Sequence, residues 1–253
     1  MAIYPQLATG ALCQFPVRKM RRTRTVVNRS ADGSLIKLSD PAGEITEWQL
    51  SYSDLSDDEI DSLRDFFKSV EGTLMGFTFL DPTGNLLSFS NQLDAQVWQR
   101  DPMLTVTAEG EIWHLANSGA AGQAIWQTIQ APGEYLYSIS AYVRATSAGE
   151  VGLIIGSQNI ARPVTTAWNR MTAAAVSEVS AESVRFGLEV PAGVNLDVYG
   201  LQVEAQGGVS SPRASTRGGV YIDAHLASDE LKITCTGVNR HSCTVNVIHG
   251  NRI

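Results

Sequence analysis

A chain of 253 residues that is 43% hydrophobic and only 18% charged, with a formal net charge of -7, has the material for a sizeable core and is not a disordered protein. No apolar run approaches the roughly 18 residues that span a bilayer, the best being Val151–Gly156, and no basic-then-apolar secretory signal opens the sequence, so no membrane insertion is expected. The length suits one large domain or two ordinary ones, and the abundance of Gly, Ser, Thr, Ala and Val points to a β-rich, mainly β fold.

Charge is unevenly spread from the start. Residues 1–30 carry Arg18, Lys19, Arg21, Arg22, Arg24 and Arg29 with no acid, whereas Asp54, Asp57, Asp58, Glu59 and Asp61 crowd the stretch after Tyr52. A basic run can bind phosphates. This one lacks interleaved aromatics and belongs to an acidic chain, so it reads as a solvated or subunit-pairing strand in preference to a nucleic-acid contact. Short strands follow. Asp32-Gly33 predicts a hairpin turn and Asp40-Pro41-Ala42-Gly43 a second one. Trp48, Leu50 and Tyr52 alternate with polar residues, as in a half-buried strand.

One helix is spelled out. Ser56 and Glu59 make a capping box, Leu55 and Ile60 are spaced as a hydrophobic staple, and Asp57, Asp58 and Glu59 lie in the first turn, where the helix dipole favours negative charge. Ile60, Leu63, Phe67 and Val70 then recur at helical spacing, and Gly72 supplies the stop. A strand with Phe77 and Phe79 on one face leads to the break Asp81-Pro82-Thr83-Gly84-Asn85.

Beyond Leu86 charges thin out and strand signals recur without a helix. Tyr137, Ile139, Ala141 and Val143 predict one face, Val184, Phe186, Leu188 and Val190 another, and Tyr199, Leu201 and Val203 a third, which argues for an all-β sandwich. A second break spans Gln206–Gly219. The tail after it is too short to fold alone, and so is the region before Leu86. The economical layout is therefore discontinuous: residues 1–85 and 219–253 form one β unit, with 86–218 inserted as a sandwich.

Three cysteines, Cys13, Cys235 and Cys243, are too few for a disulfide scaffold and suit a reducing compartment. A hairpin over Leu231–Val247 centred on Asn239 would bring Cys235 opposite Cys243. Two buried thiols are favoured there over a disulfide, which opposed strand positions tend to strain.

Catalytic patterns are missing. There is no phosphate-binding glycine loop, dinucleotide fingerprint or nucleophile elbow. The histidines His114, His225, His241 and His249 lack the i, i+4 spacing of zinc hydrolases, and paired carboxylates such as Glu109 and Glu111 fit a solvated edge. No metal, cofactor or enzymatic activity is expected. The inserted region instead concentrates aromatics: Trp98, Trp113, Trp126 and Trp168, with Tyr135, Tyr137 and Tyr142. Each tryptophan is either core or an exposed platform for the apolar face of a sugar ring, and all four are candidate glycan contacts.

The segment Leu55–Pro82, with Phe66-Phe67 ending the helix and Gly72-Thr73-Leu74-Met75-Gly76-Phe77-Thr78-Phe79-Leu80-Asp81-Pro82 after it, resembles the distal tail proteins of bacteriophage tails. That resemblance implies a tail-tube-like β-barrel or sandwich with one flanking α-helix, assembled as a homo-oligomeric ring, hexameric by expectation. The ring would join the tail tube protein to the hub and tip proteins in the virion tail, after assembly in the bacterial host cytoplasm. The pieces Asn91–Trp98, Tyr135–Arg144 and Val198–Ala205, followed by Ser211-Pro212, resemble the jelly rolls of carbohydrate-binding modules, except that Arg213 stands where an aromatic commonly follows the proline. That implies an inserted β-sandwich facing host-surface glycan. In such a ring the basic residues Arg18, Lys19, Arg21, Arg22 and Arg24 would meet the acids Asp54, Asp57, Asp58 and Asp61 of a neighbour, or would line the lumen and touch passing DNA. The alternative from another class is a free-standing carbohydrate-binding protein.

Overall fold

The computed structural model describes residues 2–179 and 182–250. The chain divides into two compact units, the first made of Met1–Pro5, Cys13–Phe79 and Tyr221–Ile253, the second of Gln6–Leu12 and Leu80–Val220. Its regular structure is mainly β, with a single helix among the described residues. In chain order come β1 (Ala2–Ile3), β2 (Arg18–Arg29), β3 (Leu35–Leu55), α1 (Asp57–Ser69) and β4 (Phe77–Leu80). Ten strands follow: β5 (Gln99–Arg100), β6 (Leu104–Glu109), β7 (Ile112–Asn117), β8 (Gln123–Ile129), β9 (Leu136–Ala145), β10 (Gly149–Ile155), β11 (Gln158–Val164), β12 (Asn169–Val176), β13 (Val184–Val190) and β14 (Asn195–Glu204). The chain then returns through β15 (Val220–Leu226), β16 (Ile233–Gly237) and β17 (Arg240–Gly250).

In the first unit the strand order is β1-β4-β15-β17-β3-β2, with β16 paired to β17. The alternation in β3 buries Trp48, Leu50 and Tyr52, and β17 lays Val245 and Val247 opposite Leu50 and Trp48. Phe77 and Phe79 are both fully buried. They meet Tyr4, Phe66 and Trp48 edge-on, with ring centroids 4.9 Å apart for Phe66–Phe77 and 5.1 Å for Trp48–Phe79. Each such pair adds about 0.5–1.5 kcal/mol beyond its buried area.

The helix begins where its capping box places it. Glu59 N–H donates to Ser56 Oγ at 3.3 Å and Ser56 N–H donates to Glu59 Oε2 at 3.0 Å. The buried face is Ile60, Leu63 and Phe66, with Val70 just past the last turn, while Phe67 stays half-exposed. Of the two adjacent phenylalanines it is Phe66, not Phe67, that enters the core.

Three local expectations are corrected. Asp40–Gly43 is not a turn: β3 runs through it, and Arg22 pairs with Ile45 while Arg24 pairs with Asp40, so Pro41–Glu44 is accommodated as a bulge. Proline has no N–H to give to a ladder and is tolerated at such an irregularity. Cys235 does not oppose Cys243. The β16–β17 register shifts between Cys235 and Gly237, which sets Cys235 against His241 and Ile233 against Cys243, and all three cysteines are free. Burial pushes the Cys243 thiol up to about 11, so it is a packing residue. Finally, Tyr199 does not share a face with Leu201 and Val203. A bulge at Gly200, with φ of 64°, turns Tyr199 outward while Val198, Leu201 and Val203 stay buried.

The second unit holds two five-stranded sheets, β11-β10-β13-β8-β5 and β12-β9-β14-β7-β6. Tyr137, Ile139, Ala141 and Val143 of β9 and Val184, Phe186, Leu188 and Val190 of β13 are all buried, which makes these the inward faces of a β-sandwich. The short stretch Gln6–Leu12 belongs here because the Gln6 amide is used at both ends. Its Nε2 donates to Leu136 O and Ala205 O at 3.0 and 3.3 Å, and its Oε1 accepts from Leu136 N–H at 2.9 Å. The two ends of Leu80–Val220 are neighbours: Asp81 N–H donates to Gly219 O at 2.7 Å and Gly219 N–H to Asn85 O at 2.9 Å.

Candidate carbohydrate-binding surface

The four tryptophans of the sandwich separate into two kinds. Trp98 and Trp113 are 7% and 6% exposed, and their indole N–H groups donate to Phe89 O and Asn91 O, each at 3.1 Å. They are core residues and present no face to a sugar, which removes them as glycan contacts. Trp126 and Trp168 are half-exposed, Trp126 on strand β8 and Trp168 in the connection just before β12, packed against Tyr199.

Trp126 sits in β8, whose inward neighbour Ile125 is fully buried. Strand register places Gln99, Trp126, Gly187, Ile154 and Asn159 in one row that crosses all five strands of that sheet. The next outward row on one side is Ala124, Glu189, Gly152 and Ala161; Ala124 is buried, and the Asn159 amide lies over Gly152. On the other side Thr128 pairs with Arg185, whose guanidinium carbon lies 3.9 Å from the Trp126 ring centroid. Glycine is required at 187, since a β-carbon there would lie 2.1 Å from Ile125 O and 2.7 Å from the Trp126 β-carbon. The row therefore combines a stacking surface with amide groups at both ends, the elements that hold a hydroxylated ring, and a cation lies in the adjacent row.

Trp168 packs against the opposite sheet in a denser setting. Tyr142 and Tyr199 stack at 4.8 Å with their planes 4° apart, and Trp168 meets Tyr199 edge-on at 4.9 Å. Arg144 lies 4.8 Å over Trp168 and donates from Nε to Asp197 Oδ2 at 2.7 Å, while His114 Nδ1 is 2.6 Å from Asp197 Oδ1. The hydrogen bond to Asp197 holds the His114 imidazole above its ordinary 6.5. Burial opposes ionisation of Asp197, but the bonds from His114 and Arg144 outweigh it and keep the carboxyl below its usual range. Arg170 is likewise engaged by Ser140 Oγ and Ser210 O. Apart from the buried Arg170 Nε, the polar groups named on this face are already bonded within the chain, which suits a structural surface better than a receptive one.

The charged candidates of the first unit find partners within the chain. Arg21 pairs with Glu44 at 2.7 Å, Arg22 with Glu47 at 2.8 Å and Arg24 with Asp40 at 2.7 Å, all across the β2–β3 hairpin. Lys19 lies over the Trp48 ring at 5.4 Å. Asp54 pairs with Arg240, Asp57 with His241 and Asp61 with Arg64. Arg18 and Asp58 form no ion pair with a described residue. The separation of charge along the sequence is thus largely cancelled in space, because β3 supplies acids that the basic strand folds against.

Arg185, Asn159 and the His114–Asp197–Arg144 chain were not singled out from the sequence. Arg185 had a signal: in the alternation Val184–Val190 it occupies an outward position. Its placement beside Trp126 depends on a pairing between strands more than fifty residues apart, which no local pattern reveals. Among the described residues no group of three or more His, Cys, Asp and Glu side chains is arranged to hold a metal ion.

No family model matches this chain, and no curated protein matches it. Solved structures do. A carbohydrate-binding module described as CBM4 is 13% identical over 49% of this chain and 95% of its own, with a TM-score of 0.36. The CBM22-1 xylan-binding domain from Paenibacillus barcinonensis is 14% identical over 51% of this chain and 99% of its own, with a TM-score of 0.40. The enzymatically active domain of bacteriophage CBA120 tailspike protein 4 is 16% identical over 49% of this chain and 22% of its own, with a TM-score of 0.36.

Proposed function

We propose that this protein is a non-catalytic structural component of a phage tail tip, whose sandwich unit binds glycan on the outer face that carries Trp126. The observation that carries the glycan reading is the row Gln99–Trp126–Gly187–Ile154–Asn159: a half-exposed outward indole whose N–H donates to no described residue, with amides at either end. An outward indole on a rigid sheet stacks its free face against sugar C–H groups while the amides take hydroxyl groups.

The tail reading is supported by the resemblance over Leu55–Pro82 and by a surface suited to assembly. Among the described residues, the part of β3 before Ile45 pairs only with β2, as a two-stranded ribbon. Val27, Leu35, Ile36 and Leu38 on it are 48–54% exposed. A two-stranded ribbon is marginal by itself, and apolar residues on both of its faces call for cover by another surface. In this reading the first unit is the ring-forming hub part, a homohexamer that joins the tail tube to the tip. The stretch 86–218 is the inserted, host-facing part, and the protein's place is the virion tail.

The test is binding to an immobilised glycan array by the full chain and by Trp126→Ala. Wild type retains a set of glycans and the variant, with an unchanged circular dichroism spectrum, loses at least about tenfold in affinity. Equal binding by the two proteins would move the site off this face.

A further inference from the structure

Arg185 is the one cation in the three outward rows around Trp126, and it is uncommitted. Its guanidinium makes no hydrogen bond or ion pair with any described residue, and its Nε is buried without a partner. Arg144 and Arg170 on the opposite sheet are instead held by Asp197 and by Ser140 and Ser210, although the Arg170 Nε is, like that of Arg185, buried without a partner. Leaving a half-buried guanidinium unpaired costs free energy unless something else satisfies it. The nearby carboxylates are turned to other tasks. Glu189 reaches toward Gly122, 2.8 Å from where a β-carbon would stand, and Glu178 accepts the Ser157 N–H. Neither carboxylate forms an ion pair with Arg185.

The contact with Trp126, 3.9 Å from guanidinium carbon to ring centroid, restrains the guanidinium before any ligand arrives. A planar fork of that kind matches a carboxylate, two donors to two oxygens, better than it matches a lone hydroxyl. We propose that the Trp126 face takes an acidic sugar residue, with the sugar ring against the indole and its carboxylate on Arg185; this deepens the glycan-binding reading and rests on it.

The experiment measures binding of the full chain to pairs of oligosaccharides, uronate-containing and sialate-containing, each beside its carboxyl-reduced counterpart. Wild type is expected to bind at least one acidic member about tenfold or more tighter than its reduced partner. Arg185→Gln should lose that preference while still binding the reduced form, Arg185→Lys should recover part of it, and Trp126→Ala should lose both. Binding of acidic and reduced members with equal affinity, still dependent on Trp126, would overturn the acidic-sugar inference and leave the glycan reading intact. Binding to no member by wild type would overturn both.

Discussion

At the scale of single residues, the same side chain type has opposite fates for reasons that lie in the surrounding strands. Trp98 and Trp113 have their indole N–H groups bound to Phe89 and Asn91 carbonyls inside the fold, whereas Trp126 and Trp168 are half-exposed. The sequence showed a concentration of aromatics but not this division, because inward and outward positions are settled by which strands pair. Asp197, eighty-three positions away, holds His114 in one chain with Arg144. The His114 pKa stands above the unfolded 6.5. The pair's contribution to stability is therefore complete below 6.5 and is lost as pH rises through the raised value. The side chains are partly exposed, so the effect on stability is small. A proton NMR titration of the His114 ring should give a midpoint above 6.5 in the wild type and one shifted down toward it in Asp197→Asn.

At the scale of elements, what was legible was what is local. Ser56, Glu59, the acidic first turn and the apolar spacing specify α1 within thirteen residues, and the helix forms at that place. Ser56→Ala removes the cap and should cost about 1 kcal/mol, read as a lower midpoint in denaturant with an unchanged slope. The alternation in β9 and β13 was equally plain, since each strand buries one face completely. Errors arose where a strand departs from strict alternation. One bulge at Gly200 reversed Tyr199, another absorbed Pro41–Glu44 into β3, and a third, together with a turn at Val238-Asn239, moved Cys235 off Cys243. Each bulge inserts residues that period-two counting cannot see. The candidate site suffered in the same way: Trp126 was legible as an aromatic, but its row was not, because Gly187, Ile154 and Asn159 come from three other stretches of chain.

At the scale of the whole molecule, the account joins a glycan-binding sandwich to an assembling hub. The assembly half predicts that the purified chain, measured by light scattering over a range of concentrations, reaches a closed oligomer near six copies. Val27→Ser together with Leu38→Ser changes two side chains that are each 52% exposed, so the fold should persist while the oligomer is lost. A strict monomer in the wild type at every concentration would favour a free-standing carbohydrate-binding protein.

The glycan half is the central claim, and the five indole N–H groups report on it directly. In a two-dimensional nitrogen–proton NMR spectrum of the chain, titrated with a glycan that it retains on the array, the Trp126 indole signal should shift. The Trp98 and Trp113 signals, bonded inside the core, should stay in place. A shift confined to Trp168, or no indole shift at saturating glycan, would contradict the assignment of the binding face.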